Sequence, residues 1–384
     1  MSLSVEILNA QSLSLRHCDE WNSLVRDRPD NLQGFDALST WEWFDATLAA
    51  FPQACECRVV FARSGAEVVG VLPIVRSAGG IAGHRLLHTN EFYGGRNGPL
   101  IRAEDPQVVR AMLDGLDGAF PGWSVLHLIL TNGFDQAVRT GCAQGGYRLL
   151  TNEYQSSPYF PLCASADEFA ASMTKSLKQL LRTSGRKLAA VGRCEYRFHG
   201  PSADSDALLE AIFNVEKRSW KQAAGTAITT QPRQERFYRA MFPRMASAGM
   251  LRAMTLHVDG DPVAYNFGLV RGGVFCCLKH SHVEIFNKLS PGYLLNLEFI
   301  DRLREEGVLT YDFMALPEPH KLRWSDCVAV YERHHALLFA RGPRGRAELL
   351  AYRMRSVAKM IRSRLAGAFR SDEAGLQETK DGCG

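Results

Sequence analysis

Residues Val274–Met314 read VFCCLKHSHVEIFNKLSPGYLLNLEFIDRLREEGVLTYDFM. An apolar run, Val274 to His280, is followed by a polar loop, Ser281 to Leu289. A helical pattern then begins at Pro291 and ends at Glu306 before Gly307, and a second apolar run covers Val308 to Met314. Serine ahead of proline is a helix start, and glycine after the last periodic residue is a stop. The stretch is therefore a strand, loop, helix and strand, the unit from which α/β sheets are built. The amino end of such a helix offers unpaired N–H groups and a partial positive charge, which suit an anion.

Upstream, Leu251 to Val258 and Pro262 to Val270 flank Asp259-Gly260, and this arrangement predicts a β-hairpin. A similar hairpin is predicted for Cys57 to Ala62 and Val68 to Val75 around Ser64-Gly65. Aligning Val69-Gly70 with Val263-Ala264 puts the copies 194 residues apart. That is about half the chain, as two similar domains in tandem require. The predicted fold is thus α/β (α+β): two tandem domains, each a mixed, mostly antiparallel sheet flanked by helices, followed by a basic C-terminal helix. The expected boundaries are residues 1–163, 164–340 and 341–384.

Further helices are predicted at Trp41 to Phe51, at Asp167 to Val191 with a basic outer face, and at Ala207 to Gln222. A strand, Cys194 to His199, lies between the last two. Residues Asn90 to Pro99 read as a loop beside the cleft. Arg341 to Leu365 carries eight Lys or Arg and one acid, Glu348, and the final residues read as a disordered tail.

The 384 residues are 46% hydrophobic and 22% charged, which excludes disordered and fibrous classes. A net charge of +4 is too mild to mark a DNA-binding protein. No apolar run reaches the roughly 18 residues needed to span a bilayer. Met1 to Ala10 lacks the pattern of a secretory signal, so the expected location is the cytoplasm. The ten cysteines lack paired metal-ligand spacing and read as reduced thiols; no metal is expected.

Candidate site residues follow from the same unit. Lys279 and His280 end one strand, while Tyr311 and Asp312 end the next beside the same edge, where open α/β sheets bind ligands. Lys321 and Trp324 follow on the adjoining loop. Lys288, Ser290, Gly292, Tyr293 and Leu294 surround the helix start. Glu216 and Trp220 are placed on one face of the preceding helix, with Lys221 beside them. Of Cys276 and Cys277, at most one can face a substrate, because neighbours in a strand point to opposite sides.

Ser219-Trp220-Lys221, the Asp259-Gly260 hairpin, Lys279, Ser290-Pro291-Gly292 with Leu294-Leu295, Tyr311-Asp312-Phe313 and Lys321-x-x-Trp324, in that order, resemble the CelD-like branch of the GNAT superfamily. That branch is associated with bacterial cellulose and exopolysaccharide production and is related to the FemAB-type transferases of peptidoglycan cross-bridges. The resemblance covers roughly residues 20 to 340. It implies an acyltransferase that uses acyl-CoA, typically acetyl-CoA, and an amine or hydroxyl acceptor such as a saccharide or exopolysaccharide precursor. It makes the Ser290 helix the counterpart of a pyrophosphate-binding loop, with Lys279, Lys288, Ser290, Gly292, Tyr293 and Leu294 on the donor. Asp312 and Lys321 become the catalytic candidates, and Glu216, Trp220, Lys221, Tyr311 and Trp324 the acceptor side. Here the Met314-Ala315-Leu316-Pro317 turn replaces the branch's usual glycine. A second reading is a FemAB-like transferase using aminoacyl-tRNA, held by the basic helices at 175 to 193 and 341 to 364. A third is a non-catalytic scaffold that meets partners or the inner face of the membrane through the arginine-rich helix.

Overall fold

The computed structural model describes residues 3–26, 37–50, 56–92, 98–131, 135–162 and 165–358. In the first half the strands are β1 (Leu3–Asn9), β2 (Cys57–Ser64), β3 (Glu67–Ser77), β4 (His84–His88), β5 (Leu100–Ile101), β6 (Trp123–Thr131) and β7 (Arg148–Pro161). Its helices are α1 (Leu15–Arg26), α2 (Trp41–Ala50), α3 (Pro106–Ala119) and α4 (Asp135–Gly145). The second half contains α5 (Ala166–Ser172), α6 (Lys175–Ala189), β8 (Cys194–His199), α7 (Ser205–Lys217), α8 (Trp220–Ala223) and α9 (Pro232–Ser247). These are followed by β9 (Leu251–Val258), β10 (Asp261–Arg271), β11 (Val274–His282), α10 (Pro291–Glu305), β12 (Thr310–Asp312), α11 (Pro319–Leu322) and β13 (Ala329–Phe339). A last helix, α12, covers 342–358.

The two hairpins are copies in register as well as in pattern. β2 and β9 both have 8 residues, β3 and β10 both have 11, and each pair starts 194 positions apart (251 − 57 and 261 − 67). Asp259 and Gly260 both adopt positive φ, 50° and 87°, as the tight turn between right-twisted strands requires.

All strands join one 13-stranded sheet in the order β1-β2-β3-β4-β6-β13-β7-β12-β11-β10-β9-β8, with β5 on β3. The order is symmetric about its centre. Each half lays down antiparallel strands and then one parallel pair, β4 with β6 and β11 with β12. The last strand of each half then crosses over: β13 pairs with β6, and β7 with β12. The sheet consequently joins the two halves of the chain through β13 and β7. Ala336, Leu338 and Ala340 complete the first half's core, while Phe160, Leu162, Trp43 and Ala46 belong to the second's.

Two predicted helices are broken. The one at Asp167 to Val191 is interrupted at Met173, which is extended, and restarts at Thr174, whose hydroxyl accepts from the Leu177 amide at 3.3 Å. The one at Ala207 to Gln222 stops at Lys217 and restarts at Trp220, because Ser219 donates to the Glu216 carbonyl (2.9 Å) and accepts from the Lys221 amide (3.3 Å). Glu216 and Trp220 therefore do not share a helical face. Residues 359–365 of the predicted arginine-rich helix, the polar tail and residues 93–97 of the Asn90 to Pro99 loop lie outside the described residues. No described helix is long and apolar enough to cross a membrane.

Candidate active site

β11 and β12 run side by side only from Val274–Cys276 against Thr310–Asp312. Beyond that register they part. β11 continues on β10 to His282, while Phe313 stays with β7, its amide donating to the Pro158 carbonyl at 3.1 Å. The parting strands leave a wedge at their carboxyl ends, at the amino end of α10, the position at which open sheets bind ligands. The wedge holds a cavity of about 530 Å³, within the size range of small-molecule sites.

Eight of the thirteen candidate residues line it: Trp220, Lys221, Lys279, Ser290, Gly292, Tyr293, Lys321 and Trp324. The other five are not among the lining residues. Tyr311 is buried behind the wall, its hydroxyl accepting from Asn266 Nδ2 at 2.8 Å. Leu294 is buried against α6, and Lys288 is exposed. Glu216 is fully buried behind Lys221. Asp312, also fully buried, accepts from the Met314 amide at 2.8 Å and the Tyr331 hydroxyl at 3.1 Å. Its carboxylate thus holds the turn that opens the wedge, and it makes no ion pair with Lys321.

The Glu216 cluster fixes one wall. Lys221 Nζ donates to Glu216 Oε1 (3.1 Å), the Tyr265 hydroxyl (3.2 Å) and the His280 carbonyl (2.8 Å). Three acceptors for three protons make it an ammonium. Glu216 accepts from Tyr265 (2.5 Å) and the Ile228 amide (2.5 Å) as well, so it is a carboxylate. Burial pushes the Glu216 pKa up, but Lys221, Lys279, the Ile228 amide and Tyr265 outweigh it and hold the carboxyl below its usual range. Burial likewise lowers Lys221, against the pull of Glu216.

Lys279 differs from Lys221. Its Nζ reaches Gln234 Oε1 at a long 3.4 Å and stands 5.6 Å from the Tyr238 ring centroid. Burial first, and then the neighbouring Lys221 charge, bring its pKa down to about 8, with Glu216 opposing. It is a lining amine that can shed its proton near neutral pH. Burial brings His280 down to about 3, so that ring is neutral. Cys277 lines the cavity and Cys276 does not; burial raises the Cys277 thiol to about 11, which keeps it protonated and a poor nucleophile.

On the opposite wall Lys321 Nζ donates to Glu318 Oε2 (2.6 Å) and the Leu316 carbonyl (3.0 Å). Tyr293 stacks on Trp324 with centroids 5.6 Å apart and planes at 28°, while Trp220 is 54% exposed at the rim. At the helix start Ser290 occupies the expected cap position but has φ 51° and makes no capping bond with its side chain. The predicted serine cap is thus absent, and the first-turn amides of α10 have no side-chain acceptor from that residue. A Cβ on Gly292 would meet only His282 Nδ1, at 3.8 Å, so that side is open. These features suit an anionic group at the helix end.

Sequence reasoning missed Tyr265, Asn266, Asn296 and Glu318. Glu318 stands three positions before Lys321, a pairing spacing visible in the sequence. The Asn266–Asn296 bond (2.7 Å) joins β10 to α10 and leaves no such trace. Among the described residues no group of three or more His, Cys, Asp or Glu is placed to hold a metal ion.

Residues 175–322 match the acetyltransferase (GNAT) domain family. No curated protein sequence matches the chain. Among solved structures, FemX is similar at 11% identity, covering 86% of this chain and 96% of its own, with a TM-score of 0.60. A conserved protein of unknown function from Bacteroides thetaiotaomicron VPI-5482 has 14% identity, 87% and 100% coverage and a TM-score of 0.54. The C-terminal domain of a putative lysylphosphatidylglycerol synthetase from Agrobacterium fabrum has 14% identity, 88% and 95% coverage and a TM-score of 0.50. At these identities the likeness is one of fold.

Proposed function

We propose that this chain, through the acetyltransferase (GNAT) domain that it carries, moves an acyl group from an acyl-CoA such as acetyl-CoA to an amine or hydroxyl of a saccharide or cell-envelope precursor. The observation that carries this reading is the wedge between β11 and β12, open at an α10 amino end that its own serine leaves uncapped. The donor's pyrophosphate would be met there by the Gly292 amide, with Lys288 near the helix start, while the Tyr293 and Leu294 amides turn to the Ser290 carbonyl (3.1 and 3.4 Å). The donor supplies a thioester carbonyl.

In the transfer a new C–N or C–O bond forms as the C–S bond breaks. We assign Lys279, as the neutral amine, to take the proton that the acceptor loses; the same proton can then pass to the departing thiolate. Lys321 places a held positive charge on the facing wall, where charge develops on oxygen or sulfur. Asp312 acts at one remove by fixing the Met314 turn. Trp220, Trp324 and Tyr293 offer aromatic faces on which the apolar side of a sugar ring stacks. Isothermal titration with acetyl-CoA tests the reading: micromolar to millimolar affinity, weakened by substitution at Gly292, supports it, and absence of heat or thermal stabilisation at millimolar ligand refutes it.

The FemAB-like alternative, with aminoacyl-tRNA as donor, draws on the outward face of α6, where Lys175, Lys178, Arg182, Arg186 and Lys187 are all exposed. Salt separates the two. Binding of tRNA through about six phosphates would fall by about a thousandfold between about 50 and 200 mM salt, whereas coenzyme A binding would change far less.

A further inference from the structure

The helix α12, covering 342–358, has two apolar faces, and the described residues cover only one. Its inner face is anchored. Leu349 and Tyr352 pack with Val125, Leu337 and Phe339 on β6 and β13. Glu348, 7% exposed, accepts from the amides of Ile81 (2.7 Å) and Ala82 (2.9 Å) and from the Ser124 hydroxyl (3.1 Å). The Tyr352 hydroxyl accepts from Asn152 Nδ2 at 2.9 Å. The helix is therefore held in one rotation about its axis.

That rotation turns Leu350, Met354 and Val357 outward, 59%, 59% and 49% exposed. Their spacing of four and three puts them on one stripe of the helix. At about 100° per residue the stripe lies opposite the Glu348–Tyr352 face. On the same wheel Arg346 and Arg353 fall along one side of the stripe, and both are exposed. Among the described residues the stripe is left open, and its border carries one sign of charge.

We infer that this outer face of α12 docks the protein on an anionic lipid surface, with Leu350, Met354 and Val357 entering the headgroup boundary and Arg346 and Arg353 meeting lipid phosphates. A helix lying in the interface plane with an apolar stripe bordered by arginines has the required form. Charge complementarity selects this occupant. A second copy of the chain laid face to face would bring arginines against arginines, and an RNA backbone would use the arginines but leave the three apolar side chains in water. The inference does not depend on the reaction proposed for the cavity.

The test is co-sedimentation of the full chain with vesicles of phosphatidylcholine alone and of phosphatidylcholine mixed with phosphatidylglycerol. Binding is expected only to the anionic vesicles. Replacing both arginines (R346Q/R353Q) should weaken it by about fiftyfold, from roughly a fivefold to tenfold effect per arginine. The L350Q/M354Q/V357Q variant should lose binding even at low salt, with an unchanged melting temperature showing that the inner face remains docked. Failure of the wild-type protein to bind anionic vesicles, equal binding to both vesicle types, or retained binding by the L350Q/M354Q/V357Q variant would overturn the inference. So would a solution dimer dispersed by that variant, or RNA binding that it leaves intact in a protein that ignores vesicles.

Discussion

The two halves of the sheet begin alike and diverge at their parallel strands. Ile74 and Gly268, 194 positions apart, pair with His88 and Cys277, so these two residues hold equivalent places. In the first half β4 stops there, and the chain folds over as the Asn90 amide donates to His88 Nδ1 at 3.1 Å. In the second half β11 continues for five more residues, through Lys279 to His282. The partner strands show the reverse. β6 runs for nine residues, all buried, whereas β12 stops after three. The following helices differ too. The Asp105 carboxylate caps α3 by accepting from the Gln107 amide at 2.8 Å, while Ser290 leaves α10 uncapped. One frame thus becomes a wall in one copy and a cleft in the other through strand length and a single cap.

The sharpest way to break this contrast is at the buried ion pair. Lys221→Met would leave Glu216 charged and uncompensated and should cost about 3–5 kcal/mol in urea unfolding. In the first half the partly exposed Arg63, set between Glu6 and Glu20, should cost about 1 kcal/mol when replaced by Met. Equal losses would show that the cleft wall is no more dependent on its charges than the surface is.

Next in size is Lys279→Met, expected to lower kcat about a hundredfold with little change in donor KM. The wild-type rate should rise with pH through about 8, because the neutral amine is the active form and its fraction grows as the proton leaves. That limb should vanish in the variant. The same shift also acts on stability: the folded state binds fewer protons at Lys279 than the unfolded chain between about 8 and the ordinary lysine value of 10.5. Its destabilising contribution, full below pH 8, is therefore removed as pH rises through that window.

A smaller effect tests the helix caps. Ser290→Asp gives α10 the carboxylate that α3 already has and should weaken acetyl-CoA binding about fivefold to tenfold by titration calorimetry. Asp105→Ser should leave that affinity unchanged. Smallest of all, Asp105→Ala should lower stability by about 1 kcal/mol without altering turnover. A change in donor affinity there would mean that the first copy also takes part in binding.

The hairpin copies and the strand-loop-helix-strand unit were legible in the sequence because Asp259-Gly260, Ser290-Pro291 and Gly307 are local signals. The position of the wedge followed from the same unit, and eight candidate residues line it. Asp312 was open to two readings in the sequence, because residue type and strand position look alike for a catalytic acid and for one that holds a turn; in the structure it meets the Met314 amide and the Tyr331 hydroxyl. Glu216 and Trp220 lost their shared face to a hydroxyl at Ser219, a residue that caps or continues a helix according to its neighbours. The exchange of β7 and β13 has no sequence signature, since pairing between distant strands is set by the whole sheet.

That exchange has a consequence for how the molecule comes into being on the ribosome. The nine buried residues of β6 await a strand, Ala329–Phe339, that is synthesised some two hundred residues later. Throughout that interval a long apolar edge stands open to strangers. Nascent chains of this protein should need a chaperone's shelter until nearly the end of translation, and neither half should be recovered intact when expressed by itself.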